Sequence, residues 1–156
     1  MQLSDILSAD GVVPSLKVSS KKQALHELAA IASKQTGLDV RQIFDTLLQR
    51  ERLGSTGLGQ GIAIPHGKLP GLSKLHTVFA RVAQPIEFDS VDDQPVDLIF
   101  VLLAPESAGA DHLKALARIS RLLRDPEIVA KLRGSDSSAA LYSILTEPTA
   151  SASHAA

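Results

Sequence analysis

An α/β layered domain is the fold class this sequence predicts, and three observations carry the prediction. Apolar residues recur with a helical period in the first and last thirds of the chain. Between them lie short β-branched or aliphatic runs bounded by Gly, Pro and Asp, the pattern of strands. The 156 residues contain no internal repeat and no inner linker, so one domain is the simplest organisation. Two helical blocks around a set of strands bury their apolar stripes by layering onto a sheet. The order of strands in that sheet cannot be read from the runs.

The elements follow in order. VVPSLKV near the start is a candidate strand, and Pro14, lacking an N–H for a ladder, would place it at an edge. Ser20-Lys21-Lys22-Gln23 has the S-x-x-Q form of a capping box. Behind it Leu25, Leu28, Ala29 and Ala32 form a helix stripe that Gly37 stops. Asp39 caps a second helix with Val40, Ile43, Phe44 and Leu47 on one face, ending near Gly54. Three strands are expected next, at Ile62–Pro65, His76–Ala83 and Val96–Ala104. The last is apolar but for Asp97, as a strand covered on both faces should be. Leu113, Leu116, Ala117 and Ser120 then start a stripe after Asp111, and Asp125-Pro126 breaks it. A short helix runs to about Leu132, and Gly134 with Ser135 precedes a final one through Ile144. The domain is expected to occupy 1–147, with 148–156, small and polar, as a loose tail.

Composition removes several function classes. With 44% hydrophobic and 21% charged residues the chain is globular. At this length it buries roughly two-thirds of its unfolded surface, so the core needs no staples. The absence of cysteine excludes disulfides, thiolate metal sites and thiol nucleophiles, and fits a reducing compartment. A net charge of −1 gives no general attraction to nucleic acid or anionic membrane. Phe44, Phe79, Phe88, Phe100 and Tyr142 are too few aromatics for base-stacking platforms. MQLSDILSAD lacks the regions of a signal peptide. The run LIFVLLAP falls far short of the ~20 residues that span a bilayer. The expectation is a cytoplasmic protein with no nucleic-acid partner and no direct membrane insertion.

The chemistry concentrates in GLGQGIAIPHGK, Gly57 to Lys68. A dinucleotide fingerprint would need a third glycine where Ile62 or Ile64 stands, and a P-loop would need Ser or Thr where Leu69 follows Lys68. These glycines also precede a strand, whereas both phosphate motifs follow one. What they do permit is close backbone approach, with N–H groups free to face an anion. Ser55 and Thr56 add hydroxyl donors to the same loop, and Arg50 and Arg52 end the preceding helix. Two residues apart, those arginines point different ways, and a solvated helix end accounts for either.

His66 stands between Pro65 and Gly67. Pro65 is expected to end the strand's pairing and hold the His backbone, and Gly67 to leave room beside the ring for a second molecule. A rigid neutral imidazole, with an unperturbed pKa near 6.5, has a nucleophilic nitrogen that needs no strong base. Phosphoryl transfer asks mainly for positioning and for donors to the phosphoryl oxygens. The plainer alternative is a His that terminates a strand and hydrogen-bonds a turn. His26 is expected at the surface, His76 as a structural strand residue and His154 in the tail. No H-E-x-x-H or comparable spacing exists, so no metal or other cofactor is expected. RISRLLRD and Lys21-Lys22 read as solvated helix faces.

RERLGSTGLGQGIAIPHGK, Arg50 to Lys68, closely resembles the active-site segment of the phosphotransferase-system enzyme IIA family of the mannitol/fructose class. The nearest branch is the nitrogen-regulatory type, and the resemblance runs from LSDIL at Leu3 to LYSIL at Leu141. It implies a three-layer α/β/α domain with a mixed sheet. It places His66 as the phosphorylated histidine, His112 beside that ring and Arg50 in contact with the site. Ser55, Thr56, Gly57 and Gly67 would form the phosphate-binding loop. The implied donor is a histidine-containing phosphocarrier protein. The implied targets are regulatory proteins, among them potassium transport components or a sensor kinase. Two other functions use the same residues: a sugar-specific enzyme IIA serving a permease, and a module that binds an anion without covalent chemistry.

Overall fold

The computed structural model describes residues 2–147. The expected tail at 148–156, with His154, lies outside the described residues. After short 3-10 turns at Leu3–Asp5 and Ala9–Gly11 come β1 (Val12–Leu16), α1 (Lys21–Thr36) and α2 (Val40–Arg52). The strands β2 (Gly57–Gly59), β3 (Ile62–Ala63), β4 (His66–Leu69), β5 (His76–Ile86) and β6 (Val96–Pro105) follow. The chain then returns to helices in α3 (Ala110–Leu122), α4 (Pro126–Arg133) and α5 (Ser138–Thr146).

The strands form one mixed sheet in the order β1-β5-β6-β3-β2, with β4 also paired to β6. β1 runs parallel to β5, β3 and β4 run parallel to β6, and β5 runs antiparallel to β6. Pro14 sits in the edge strand β1, where its missing N–H costs the ladder nothing. The central strand β6 is buried along almost its whole length. Alternate residues of β6 feed two separate cores. Ile99, Val101 and Leu103 pack with Leu25, Leu28, Ile43 and Leu47 of α1 and α2. Leu98, Phe100 and Leu102 pack with Ile119, Leu132 and Leu141 of α3, α4 and α5. Helices therefore cover both faces of the sheet, the expected three-layer α/β/α arrangement with a mixed sheet.

Local signals set most boundaries. Ser20 accepts from Gln23 N, but the Gln23 side chain accepts from Ser19 N at 2.8 Å, so the reciprocal half of the capping box reaches one residue further back. Gly37 closes α1 in the left-handed region at φ 78°. Asp39 and Asp125 accept from Gln42 N and Glu127 N at the starts of α2 and α4.

Three expectations are corrected. The stripe read on α3 is displaced: the buried residues are His112, Ala115 and Ile119, while Leu113 is 68% exposed. Pro65 does not end pairing. Its carbonyl accepts from Leu102 N at 2.9 Å, and His66 opens β4 opposite Leu102 rather than closing a strand. Lys21 is not part of a solvated face, since its ammonium lies 3.0 Å from the buried carboxylate of Glu51.

Candidate functional site

The site grows from one register position. His66 lies opposite Leu102 in β6, and Leu102 faces the α3 side of the sheet. Residues directly opposite share a face, so the His66 ring emerges toward α3. There it meets His112, the third residue of α3, with ring centroids 5.7 Å apart and planes at 84°. A cleft of about 210 Å³ opens at this point, lined by Arg50, Ser55, Thr56, Leu58, His66 and Leu116 among others. The sequence-expected residues Arg50, Ser55, Thr56, His66 and His112 are thus gathered at one place from α2, the following loop, β4 and α3.

His66 has a defined tautomer. Its Nδ1 lies 2.8 Å from the Ile64 carbonyl oxygen. A carbonyl oxygen only accepts, so the neutral ring keeps its proton on Nδ1 and donates it there. The lone pair is left on Nε2.

His112 is buried, with Nδ1 lacking a hydrogen-bond partner among the described residues. Burial holds this imidazole below its ordinary value, and the adjacent His66 and Lys68 push it the same way. Before any ligand arrives, His112 is therefore a neutral ring. Arg50 is half-buried, donates from Nη1 to the Gly54 carbonyl at 3.0 Å and lines the cleft.

The loop before β2 is more self-contained than its sequence predicts. The Ser55 hydroxyl donates to the Phe88 carbonyl at 2.7 Å and accepts from Gly57 N at 3.0 Å. Thr56 donates both its N–H and its hydroxyl to Glu51, and Gln60 N donates to Asp92 at 2.8 Å. The amides of Thr56, Gly57 and Gln60 are therefore spoken for, and they form no open nest for an anion. The two site glycines serve packing. A Cβ on Gly57 would stand 2.3 Å from Ser90 Oγ, and one on Gly67 would stand 2.7 Å from Thr46 Cγ2. Gly67 thus admits α2 against the sheet; it does not clear space for a second molecule.

Sequence reasoning missed Glu51, Lys21 and the exposed Leu58 and Leu113. Glu51 was detectable: it continues the buried Ile43 and Leu47 positions in steps of four, so a carboxylate falls on an apolar stripe. His26 is exposed, as expected, and lies edge-on to Phe44 at 5.4 Å. Among the described residues no helix is long and apolar enough to cross a membrane.

A strand-borne histidine with its Nε2 left without the proton, a second buried histidine against it and an arginine at the rim stand together on an α/β/α domain. Residues 5–147 match the family described as phosphoenolpyruvate-dependent sugar phosphotransferase system, EIIA 2, and the chain belongs to that family. A nitrogen regulatory protein of Bradyrhizobium diazoefficiens is 59% identical over 152 residues, covering 97% of this chain and 99% of that protein. The crystal structure of the nitrogen regulatory protein IIA-Ntr from Neisseria meningitidis matches with a TM-score of 0.88 at 37% identity, covering 92% of this chain and 99% of that one. A PTS system fructose-specific EIIA component of Haloferax volcanii is 38% identical over 130 residues, 83% of this chain and 84% of that protein.

Proposed function

We propose that the protein is a phosphoryl carrier whose acceptor is Nε2 of His66 and whose phosphorylation state regulates other proteins. The observation that carries this reading is the 2.8 Å contact between His66 Nδ1 and the Ile64 carbonyl, which leaves Nε2 as the nucleophile. The donor is a phosphohistidine on a small phosphocarrier protein, as membership of the phosphotransferase family supports.

The step balances without an external base. The His66 Nε2 lone pair forms the new N–P bond in line with the donor's N–P bond, which breaks. The donor ring leaves as a neutral imidazole, keeping the proton on its other nitrogen. His66 keeps its own Nδ1 proton, so positive charge develops on its ring. The Ile64 carbonyl stabilises that charge through the existing hydrogen bond. His112 and Arg50 hold the phosphoryl oxygens. With Nδ1 of His112 buried, Nε2 is the nitrogen that meets them. Ser55, Thr56, Gly57 and Gly67 shape the loop and its packing rather than donate to the phosphate. The step uses no metal or nucleotide.

Transfer adds roughly two negative charges to a surface on which Leu58 and Leu113 stand exposed. A partner that docks on that apolar rim is then either repelled or recruited. The 59% identical relative bears the name nitrogen regulatory protein, which supports regulation as the output. The regulated partners belong to nitrogen, potassium-transport or stress control, in the cytoplasm. The fructose-specific relative supports the second reading, in which the same site passes its phosphoryl group to a permease. Loss of uptake of one sugar on deleting the gene would favour that reading.

Incubation with phosphoenolpyruvate, enzyme I and phosphocarrier, followed by intact-protein mass, tests the carrier chemistry. One acid-labile phosphoryl group on the wild type and none on His66→Ala is the expected result. No adduct on either protein would return the site to non-covalent anion binding.

A further inference from the structure

A continuous run of hydrogen bonds links a buried ion pair to the His66 ring. Lys21 Nζ lies 3.0 Å from Glu51 Oε1. The Glu51 carboxylate accepts from Thr56 N at 3.0 Å and from the Thr56 hydroxyl. The Thr56 carbonyl accepts from Ile64 N at 3.1 Å, and the Ile64 carbonyl accepts from His66 Nδ1 at 2.8 Å. We infer that Glu51, held by Lys21, is a positioning residue that fixes the Nδ1–H tautomer and the aim of the His66 ring through Thr56 and Ile64. The inference rests on the reading of His66 as the phosphoryl acceptor.

Helix stability does not explain why these charges are where they are. Glu51 stands in the last turn of α2, where the macrodipole disfavours a carboxylate. Lys21 is the first residue of α1, where the macrodipole disfavours a cation. Each is at the wrong end of its own helix, and each occupies an apolar stripe. The Glu51 side chain is only 2% exposed. A buried pair of this kind recovers little net stability, because desolvation offsets the attraction. What it supplies is location. The carboxylate satisfies both donors of Thr56 at once, and Lys21 cannot drift, since its ammonium also reaches the Phe88 carbonyl at 3.4 Å and sits 4.8 Å from the Phe88 ring. That same carbonyl takes the Ser55 hydroxyl, so the Ser55-Thr56 step is clamped from two sides. The link to His66 is mechanical: moving Thr56 moves the Ile64 strand end, and with it the carbonyl that dictates which ring nitrogen is free.

The test uses the full chain with 15N-labelled histidine, unphosphorylated, above pH 7.5. In the wild type the His66 spectrum shows a protonated Nδ1 and a bare Nε2. Glu51→Gln and Thr56→Val are expected to shift the ring toward a tautomer mixture, and Thr56→Ser to restore the wild-type signature. In single-turnover transfer from the phosphorylated phosphocarrier, the saturating rate falls about tenfold in both disrupted variants, because the nucleophile is misaimed. The donor concentration giving half-saturation stays put. If Glu51→Gln does not fold, Thr56→Val carries the test, since it exchanges only the hydroxyl for a methyl group and keeps the backbone N–H on Glu51. A folded variant with the wild-type ring signature overturns the inference. So does a changed signature with an unchanged rate, or failure of Thr56→Ser to rescue. If the wild type accepts no phosphoryl group, the carrier reading fails, while the tautomer measurement still decides whether Glu51 positions the ring.

Discussion

His66 and His76 flank the same central strand one register step apart, and the chain uses them in opposite ways. His66 pairs opposite Leu102 of β6 and faces α3; His76 pairs opposite Leu103 and faces α1, beside Ile31 and Gln35. At His66 the inner nitrogen is satisfied by a carbonyl, the outer one is free, and a second imidazole stands against the ring. At His76 it is Nε2 that is buried, with no partner among the described residues. Burial, followed by the charge of Lys74, holds that ring below its ordinary value. A reactive histidine on this sheet therefore needs more than a strand position. It needs an acceptor that fixes the tautomer and a second imidazole set against the ring.

The largest expected effect separates the two rings outright. His66→Ala abolishes phosphoryl acceptance, whereas His76→Gln leaves the transfer rate within about twofold, since a residue outside the reacting geometry contributes no transition-state binding. Rates measured with purified phosphocarrier check both. His112→Ala comes next. Removing one preorganised donor lowers the saturating rate by about a hundredfold, leaving the acceptor in place. Equal and complete loss in His66→Ala and His112→Ala would break the division between nucleophile and stabiliser.

Protonation sharpens the comparison. His76 and His112 both titrate lower in the folded protein than in the unfolded chain. Below the ordinary imidazole value of about 6.5 the unfolded chain then binds more protons, so stability falls as the pH drops through that value. Above it both states are neutral and this contribution to the pH slope vanishes. Urea unfolding at pH 7.5 and 5.5 should show the loss, and His76→Gln combined with His112→Gln should make it shallower. On phosphorylation of His66 the two rings part company. The new anion favours the charged form of neighbouring His112 and raises its titration point, while His76 on the far face stays where it was. Titration of both ring signals by NMR, with and without the phosphoryl group, reads this directly.

The smallest effect lies at the hairpin that carries Leu58. Arg133 reaches Asp97 with two nitrogens, at 2.8 and 2.9 Å, and the Gln60 carbonyl with Nη2 at 2.6 Å. Both side chains are partly exposed, so Arg133→Met should cost only about 1 kcal/mol in urea unfolding and leave transfer nearly unchanged.

How far the sequence reaches is plain from these residues. The stripes of α1 and α2, their caps and the central strand β6, apolar but for Asp97, were legible because period and capping are local properties. The joining of β3 and β4 across Pro65 was not, because it depends on β6 offering Leu102 N to the proline's carbonyl. The α3 face slipped because Leu113, apolar and helical in spacing, is left outside for want of anything to cover it. At the site, the motif pointed to a histidine that the fold does set beside His112 and Arg50, but it misread the loop around it. Ser55 and Thr56 look like phosphate donors in sequence, yet Phe88 and Glu51 take their hydroxyls. Donor capacity belongs to a residue type, whereas its use is set by whichever acceptor the fold brings within reach.

The proposed carrier chemistry turns on His66 Nε2 as the atom that takes the phosphoryl group. Phosphorus–nitrogen coupling, measured by NMR on the phosphorylated protein with 15N-labelled histidine, addresses it without a mutation. One phosphoryl group is expected, coupled to Nε2 of His66, with Nδ1 still protonated against the Ile64 carbonyl. Phosphorus on Nδ1 of His66, or on His76 or His112, would contradict it.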